Sequence, residues 1–270
     1  MSEAGRRREG LAERSVLDLQ GGQVSPRQDQ LAEEVPVALE FDGVPYAVMM
    51  VSPGDLEDFA HGFSLTELGL GTDDLLGIEV QPELEGWRIR IGTREPQAFQ
   101  ARHLLGRSGC GLCGSRDLEH VLRRPGLVGQ GPVISAGALE TALHALQRRQ
   151  PMNAATGGLH AAAWCDVAGR LQLVREDIGR HNALDKLVGA MQGQSLSTTD
   201  GFAVITSRAS YEIAMKAAAA GITLIAAVSA PTALAVDLAR ACGLTLVGFA
   251  RPGRQVLYSH PQRFEGAGPA

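Results

Sequence analysis

The chain has few aromatic residues, few cysteines and no excess of positive charge. Phe, Trp and Tyr make up 4% of its 270 residues, and it contains four cysteines. The formal net charge of −5 argues against broad nucleic-acid binding, which requires a basic face. Four scattered cysteines are too few for the disulfide framework of a secreted protein, so we expect a cytoplasmic location. No apolar run approaches the roughly 18 residues of a membrane span, so no membrane partner is expected.

The remaining composition is typical of a globular protein, with 44% hydrophobic and 20% charged residues. Changes in patterning divide the chain into five parts. We predict a disordered tail at residues 1–30, a small α+β part at 31–95, a loop and linker at 96–134, an α/β domain at 135–262 and a second tail at 263–270.

Two hairpins and one helix are predicted in the small α+β part. Asp42-Gly43 lies between two apolar runs, which is a strong hairpin signal, and Glu85-Gly86 marks the second hairpin. Between them, Ser52 is placed to cap a helix that runs to about Leu68.

Strands alternate with helices in the α/β domain. Ser135 is predicted to cap a helix that ends near Arg149, and short apolar runs then alternate with helical patterns. This alternation predicts a largely parallel sheet covered on both faces. Ligands bind such sheets at the carboxyl ends of the strands. Three segments follow strands in this way: Ser207–Ser210, Ser229–Thr232 and Phe249–Arg254.

The segment Phe249–Arg254 has the clearest binding chemistry. Arg251 and Arg254 surround a Pro-Gly turn and suit a phosphate-bearing ligand, and Phe249 is placed to stack on a base. Arg208 brings another cation to the same edge. The two serine segments are explained equally well by helix capping and turn formation.

A dense polar cluster lies between a predicted strand and a helix. Glu176, Asp177 and His181 can hold a metal or act as acid and base. Equally, Asp177 can cap the helix while Arg180 and His181 satisfy backbone groups. The sequence leaves both alternatives open.

The glycine-rich stretch around Cys110 and Cys113 has three ordinary interpretations: a redox dithiol, half of a metal site or a nucleophilic sulfur. A structural zinc site needs four ligands, and Cys165 and Cys242 lie in predicted buried elements, where lone cysteines are usually core residues. A thioredoxin-type pair lies at a strand-to-helix junction, whereas this pair lies in a loop. The remaining interpretation is an exposed thiol that carries sulfur as a persulfide.

The motifs of this chain also follow one another in a characteristic order. They are Glu34-x-Pro36, His61-Gly62-Phe63, Cys110-Gly-x-Cys113-Gly114, Gly157-Gly158-Leu159-His160, the run Arg175–Lys186, Ser207-Arg208-x-Ser210-x-Glu212, Ser229–Thr232 and Phe249-x-Arg251. From about Glu34 to His260, the chain resembles the formate dehydrogenase accessory sulfurtransferase family, FdhD. The long run Arg175–Lys186 is the most specific part of this resemblance.

The resemblance implies a cytidine-deaminase-like α/β domain with an added N-terminal part, in a cytoplasmic homodimer. It implies a sulfurtransferase that takes sulfur from a cysteine desulfurase and delivers it to bis(molybdopterin guanine dinucleotide), the molybdenum cofactor of the formate dehydrogenase catalytic subunit. Carried over, Cys110 bears the persulfide and Cys113 is its partner. The predicted cofactor-binding residues are Phe249, Ala250, Arg251, Pro252, Gly253 and Arg254, together with Arg208 and His181.

One competing function remains at this point. The chain can also be a non-catalytic chaperone that binds the molybdenum cofactor, with Cys110 and Cys113 ligating a metal. Loss of sulfur transfer with retained cofactor binding in Cys110→Ala would separate the two functions.

Overall fold

The computed structural model describes residues 10–95 and 125–268, which form one two-stranded, one four-stranded and one six-stranded sheet. The strands are β1 (Leu11–Gln20), β2 (Gln23–Ala32), β3 (Val35–Phe41), β4 (Val44–Val51), β5 (Leu75–Glu83), β6 (Gly86–Thr93), β7 (His160–Asp166), β8 (Leu171–Asp177), β9 (Gly201–Ile205), β10 (Leu224–Ala227), β11 (Thr245–Arg251) and β12 (Arg254–Ser259). The helices are α1 (Leu56–Phe63), α2 (Ala136–Arg148), α3 (Pro151–Thr156), α4 (Arg180–Gly193), α5 (Tyr211–Ala219) and α6 (Ala233–Cys242). None of the helices in these ranges is long and apolar enough to cross a membrane.

A β-hairpin occupies most of the region that we predicted to be a disordered tail. β1 and β2 pair without a break from Leu11 opposite Ala32 to Gln20 opposite Gln23. The prediction of disorder is therefore wrong for these residues. Gly21 and Gly22 both have positive φ, which allows them to close a two-residue turn between the strands. The two strands were missed because they carry few apolar residues.

The four-stranded sheet has the order β4-β3-β6-β5 and packs one face on α1. The predicted hairpin at Asp42-Gly43 is confirmed, and both turn residues have the positive φ that such a turn requires. The second hairpin is present as β5 and β6, with its turn one residue earlier than predicted. Val37, Leu39 and Phe41 point into the core between the sheet and the helix.

Ser52 does not cap α1, contrary to our prediction. The N-cap residue is Asp55, whose side chain makes no capping hydrogen bond. Ser52 is instead fully buried and accepts a hydrogen bond from the backbone N–H of Ile178, 3.2 Å away. Its partner lies in the α/β domain, so the local sequence gave no signal of this role. After Phe63 the helix continues as a π-helical turn to Leu68, where we predicted its end.

The six-stranded sheet is mixed rather than mostly parallel. Its order is β12-β11-β10-β9-β7-β8, and only β9–β10 and β10–β11 are parallel pairs. β7–β8 and β11–β12 are antiparallel because each pair is a hairpin, closed by residues 167–170 and by Pro252-Gly253. β7 also pairs antiparallel with β9. The predicted α/β fold class is thus confirmed, and the predicted predominance of parallel pairing is wrong. The cytidine-deaminase-like relationship stays a prediction.

Helices cover both faces of the six-stranded sheet. α2 packs on one face through Leu139, Leu143 and Leu146, and α4, α5 and α6 cover the other. The predicted cap of α2 is confirmed, since the Ser135 hydroxyl accepts a hydrogen bond from the Ala138 N–H at 3.1 Å.

α4 is the central helix of the molecule. Every residue from His181 to Met191 is buried, because the helix packs against β7 and β8 on one side and against α1 on the other. Glycines allow close approach of α1 and α4. A Cβ on Gly62 would lie 1.8 Å from the Asp185 carbonyl oxygen, and one on Gly189 would lie 1.9 Å from that of Asp58.

Candidate functional site

One edge of the six-stranded sheet collects the predicted binding segments. The carboxyl ends of β9, β10 and β11 meet there, and the backbone N–H of Phe249 donates to the Ser229 carbonyl at 3.1 Å. β7 runs opposite to β9, so its first residue, His160, lies at the same edge, paired with Asp177 at the end of β8. The structure therefore brings together the strand ends that the sequence marked as a binding site.

The segment Phe249–Arg254 ends β11 in a bulge and a tight turn. Phe249 and Ala250 form the bulge, because pairing with β12 shifts between Gly248 and Arg251. Ala250 is buried, whereas Arg251, Pro252, Gly253 and Arg254 are exposed. The guanidinium of Arg254 lies 5.5 Å from the ring centroid of half-buried Phe249. An aromatic ring and two exposed cations thus stand together beyond the strand end.

Phe249 has a strained backbone. Its φ is +49°, a region that is sterically costly for an aromatic residue. Strained residues held by their surroundings are concentrated at functional sites. Here the hydrogen bond from Phe249 to Ser229 holds the bulge in place.

We predict that Phe249→Gly is more stable than Phe249→Ala by about 1 kcal/mol, because only glycine relieves the positive φ. Urea unfolding measures the difference. The same pair of substitutions at Leu257, a β12 residue with negative φ, is the control. There alanine is expected to be the more stable variant by roughly 0.5–1 kcal/mol. If the alanine variant were more stable than the glycine variant at both positions, backbone strain at Phe249 would be contradicted.

Arg208 follows β9 at the same edge and is exposed, as its predicted binding role requires. His181 is placed differently. It is buried, and its Nε2 lies 2.7 Å from a carboxylate oxygen of Glu212, with an Arg180 nitrogen 3.9 Å from the same oxygen. His181 therefore joins the start of α4 to α5, and a role for it in cofactor binding stays a prediction.

Asp177 and Glu176 have structural roles. Asp177 is fully buried, accepts hydrogen bonds from the N–H groups of Ser52 and Gly179, and pairs with Lys186 at 2.7 Å. The Glu176 carboxylate accepts two backbone N–H bonds from the first turn of α3. Asp177 accepts from the N–H of Gly179, which is itself the N-cap residue of α4, so Asp177 is not the N-cap that we predicted. A catalytic role for this cluster stays a prediction. Within residues 10–95 and 125–268, no group of three or more His, Cys, Asp or Glu is placed to hold a metal ion.

Sequence reasoning missed two members of this network. Ser52 and Lys186 tie the end of β4 to the middle of α4, since the Lys186 ammonium also donates to the Ser52 carbonyl at 2.8 Å. The available signal was a lysine in the middle of an apolar helical pattern, because a buried lysine requires a charged partner.

Burial lowers the pKa of His160, and the nearby positive charge of Arg180 adds to the effect. The folded state therefore binds a proton less readily than the unfolded chain, whose imidazole titrates near 6.5. We predict that stability falls as the pH decreases below this value, and that His160→Gln reduces the fall between pH 7.5 and pH 5. Thermal unfolding of the wild type and of this variant at several pH values measures how stability depends on pH. His144→Gln, at an exposed position on α2, is the control and should leave the pH dependence unchanged.

The cysteines separate into two groups. Cys165 and Cys242 are buried, and burial raises the pKa of Cys165 to about 12. Their predicted role as small core residues is confirmed, and neither thiol has the low pKa of a reactive cysteine. Cys110 and Cys113 lie outside the described residues, so their predicted roles stay predictions.

Comparison with known proteins gives consistent matches over most of the chain. The model of the FdhD/NarQ family matches residues 32–265. A sulfur carrier protein FdhD from Xanthomonas euvesicatoria is 53% identical over 264 residues, which cover 96% of this chain and 94% of the relative. A protein of the same name from Bordetella petrii is 44% identical, with 95% of each chain covered.

A solved structure has the same fold. It is the crystal structure of a protein described as a formate dehydrogenase accessory protein from Desulfotalea psychrophila. The TM-score is 0.74, and the match covers 94% of this chain and 99% of that one. At 22% identity the likeness establishes the fold alone.

Proposed function

The chain belongs to the FdhD/NarQ family, and we propose from this membership that it is a sulfur carrier that serves formate dehydrogenase. The observation that carries the proposal is the 53% identity, over nearly the whole chain, to a protein named as a sulfur carrier. In the proposal, a cysteine desulfurase is the sulfur donor and bis(molybdopterin guanine dinucleotide) is the acceptor. The protein acts as a cytoplasmic homodimer, and the catalytic subunit of formate dehydrogenase receives the cofactor.

The sulfur-transfer step is assigned to Cys110. Its thiolate attacks the outer sulfur of the donor's persulfide, the donor's S–S bond breaks, and the donor cysteine leaves as a thiolate. Cys110 then holds the outer sulfur as a persulfide, and Cys113 assists or resolves the transfer. The buried thiols of Cys165 and Cys242 support this assignment, because neither is accessible to a donor protein.

The acceptor is assigned to the edge of the six-stranded sheet. The exposed guanidinium groups of Arg251 and Arg254 suit the pyrophosphates of a guanine dinucleotide, and the ring of Phe249 suits stacking on a base. The negative net charge of the chain does not oppose this, since the cations are concentrated locally.

The test is the intact mass of the protein after incubation with a cysteine desulfurase and cysteine. Wild type is expected to gain one sulfur atom that a reducing agent removes. Cys110→Ala should lose the gain, whereas Cys242→Ser, which changes a buried thiol, should keep it. Cys113→Ala distinguishes a resolving thiol from a second carrier.

No gain in wild type, under conditions in which the desulfurase itself becomes charged with sulfur, would contradict the carrier mechanism. If the molybdenum cofactor still bound to such a protein, the non-catalytic chaperone would become the better description.

A further inference from the structure

A carboxylate on α2 holds the turn of the candidate cofactor segment. Glu140 lies on α2, and its Oε1 accepts a hydrogen bond from the backbone N–H of Gly253 at 2.8 Å. The same oxygen is 3.4 Å from the side-chain amide of Gln255. The preceding residue, Leu139, is fully buried in the core, so the position of Glu140 on its helix is fixed.

The turn itself is suited to an anion. Arg251 and Arg254 flank it and are both exposed, and neither takes part in an ion pair with another described residue. Gly253 has φ +76°, is exposed and has no neighbour within 4 Å of where a Cβ would be, so the turn is open to solvent beside the N–H that Glu140 binds. A backbone N–H between two guanidinium groups is a favourable arrangement for phosphate.

We propose that Glu140 is a specificity-determining residue, whose carboxylate occupies the phosphate position of the turn until a ligand displaces it. The inference rests on the proposed function, because it takes the ligand of Phe249–Arg254 to be a guanine nucleotide. A phosphate displaces Glu140 because it brings several oxygen atoms and more negative charge to the two arginines. A weakly bound monoanion gains too little to replace the internal carboxylate.

Glu140→Gln separates charge from contact. The glutamine side-chain oxygen still accepts from the Gly253 N–H, but the negative charge that competes with and repels a phosphate is removed. We expect the affinity for guanosine diphosphate to increase by about five- to tenfold, as for the loss of one unfavourable charge near a binding group. The affinity for guanosine, which has no phosphate, is expected to stay unchanged.

Isothermal titration calorimetry with guanosine diphosphate and with guanosine measures both affinities. Glu57→Gln is the matched control: it removes one negative charge from an exposed position on α1 and should change neither affinity. Thermal unfolding confirms that each variant is folded, and Glu140→Ala, which also removes the contact, is expected to show a gain for the diphosphate as well.

Each other outcome has a definite meaning. The proposal would be overturned if wild type and Glu140→Gln bound guanosine diphosphate with equal affinity. It would also be overturned if Glu140→Gln increased the affinity for guanosine as much as that for the diphosphate. Neither result would contradict the sulfur-carrier function. Absence of diphosphate binding in wild type and in both Glu140 variants would also overturn the proposal. The persulfide measurement on Cys110 decides the proposed function independently of all these results.

Discussion

Lys216→Met is expected to destabilise the protein by about 3–5 kcal/mol, the usual cost of removing one partner from a buried ion pair. The ammonium of Lys216 is 2.8 Å from carboxylate oxygens of both Asp185 and Glu67, and 3.0 Å from the hydroxyl of Thr66. Burial alone would lower the pKa of Lys216, but the attraction of the two carboxylates outweighs this effect and raises the pKa. Removal of the ammonium leaves both carboxylates without their cation in a buried site.

Urea unfolding of the variant and of a surface control tests this prediction. Arg170→Met is the control, because it breaks an exposed pair with Asp166 at 2.7 Å, and such pairs contribute about 0–1 kcal/mol. The double variant Lys216→Met, Asp185→Leu should recover part of the loss, since it removes a buried charge together with its partner. Equal stabilities of Lys216→Met and Arg170→Met would show that the cluster does not stabilise the fold.

Gly62→Ala and Gly189→Ala are each expected to cost at least about 3 kcal/mol, at the upper end of the range for overpacked cores. The new Cβ atoms would lie 1.8 Å and 1.9 Å from backbone oxygens of the facing helix. Backbone atoms cannot rotate away as side chains can, so α1 and α4 would have to separate. Because α4 begins at the edge that carries the candidate site, the separation should also displace His181 and Asp177.

The control for both substitutions is Gly193→Ala at the end of α4, where an added Cβ meets nothing within 4 Å. This change should be neutral or stabilising by up to about 1 kcal/mol, as for glycine replacement in a helix. Thermal unfolding ranks the three variants. A Gly62→Ala protein as stable as Gly193→Ala would mean that the two helices are not in close backbone contact.

Features set by a few neighbouring residues were predictable from the sequence. The hairpin at Asp42-Gly43 and the Ser135 cap depend on local turn and capping chemistry, and both are confirmed. Strand direction in the large sheet was not, because the antiparallel position of β7 beside β9 depends on contacts between distant segments. The family was identified from ordered motifs, and the comparisons confirm it.

The candidate site was predictable only in part, for a similar reason. The position of Phe249–Arg254 at a strand end follows from the alternation of strands and helices. Two other features depend on tertiary packing, which the local sequence does not reveal. They are the burial of His181 against Glu212 and the hydrogen bond between Ser52 and Ile178. The roles of Cys110 and Cys113, the sulfur donor and the molybdenum acceptor stay predictions.

The strand order of the six-stranded sheet also determines when the candidate site forms during folding. Its edge joins the beginning of β7 to the ends of β8, β9, β10 and β11, so it consists of contacts between residues far apart in sequence. Chains with such high contact order fold slowly, and the edge cannot exist before the last of these strands has paired. If the proposed nucleotide binds at this edge, its binding would require the completely folded sheet, and the bound nucleotide would stabilise the sheet against unfolding.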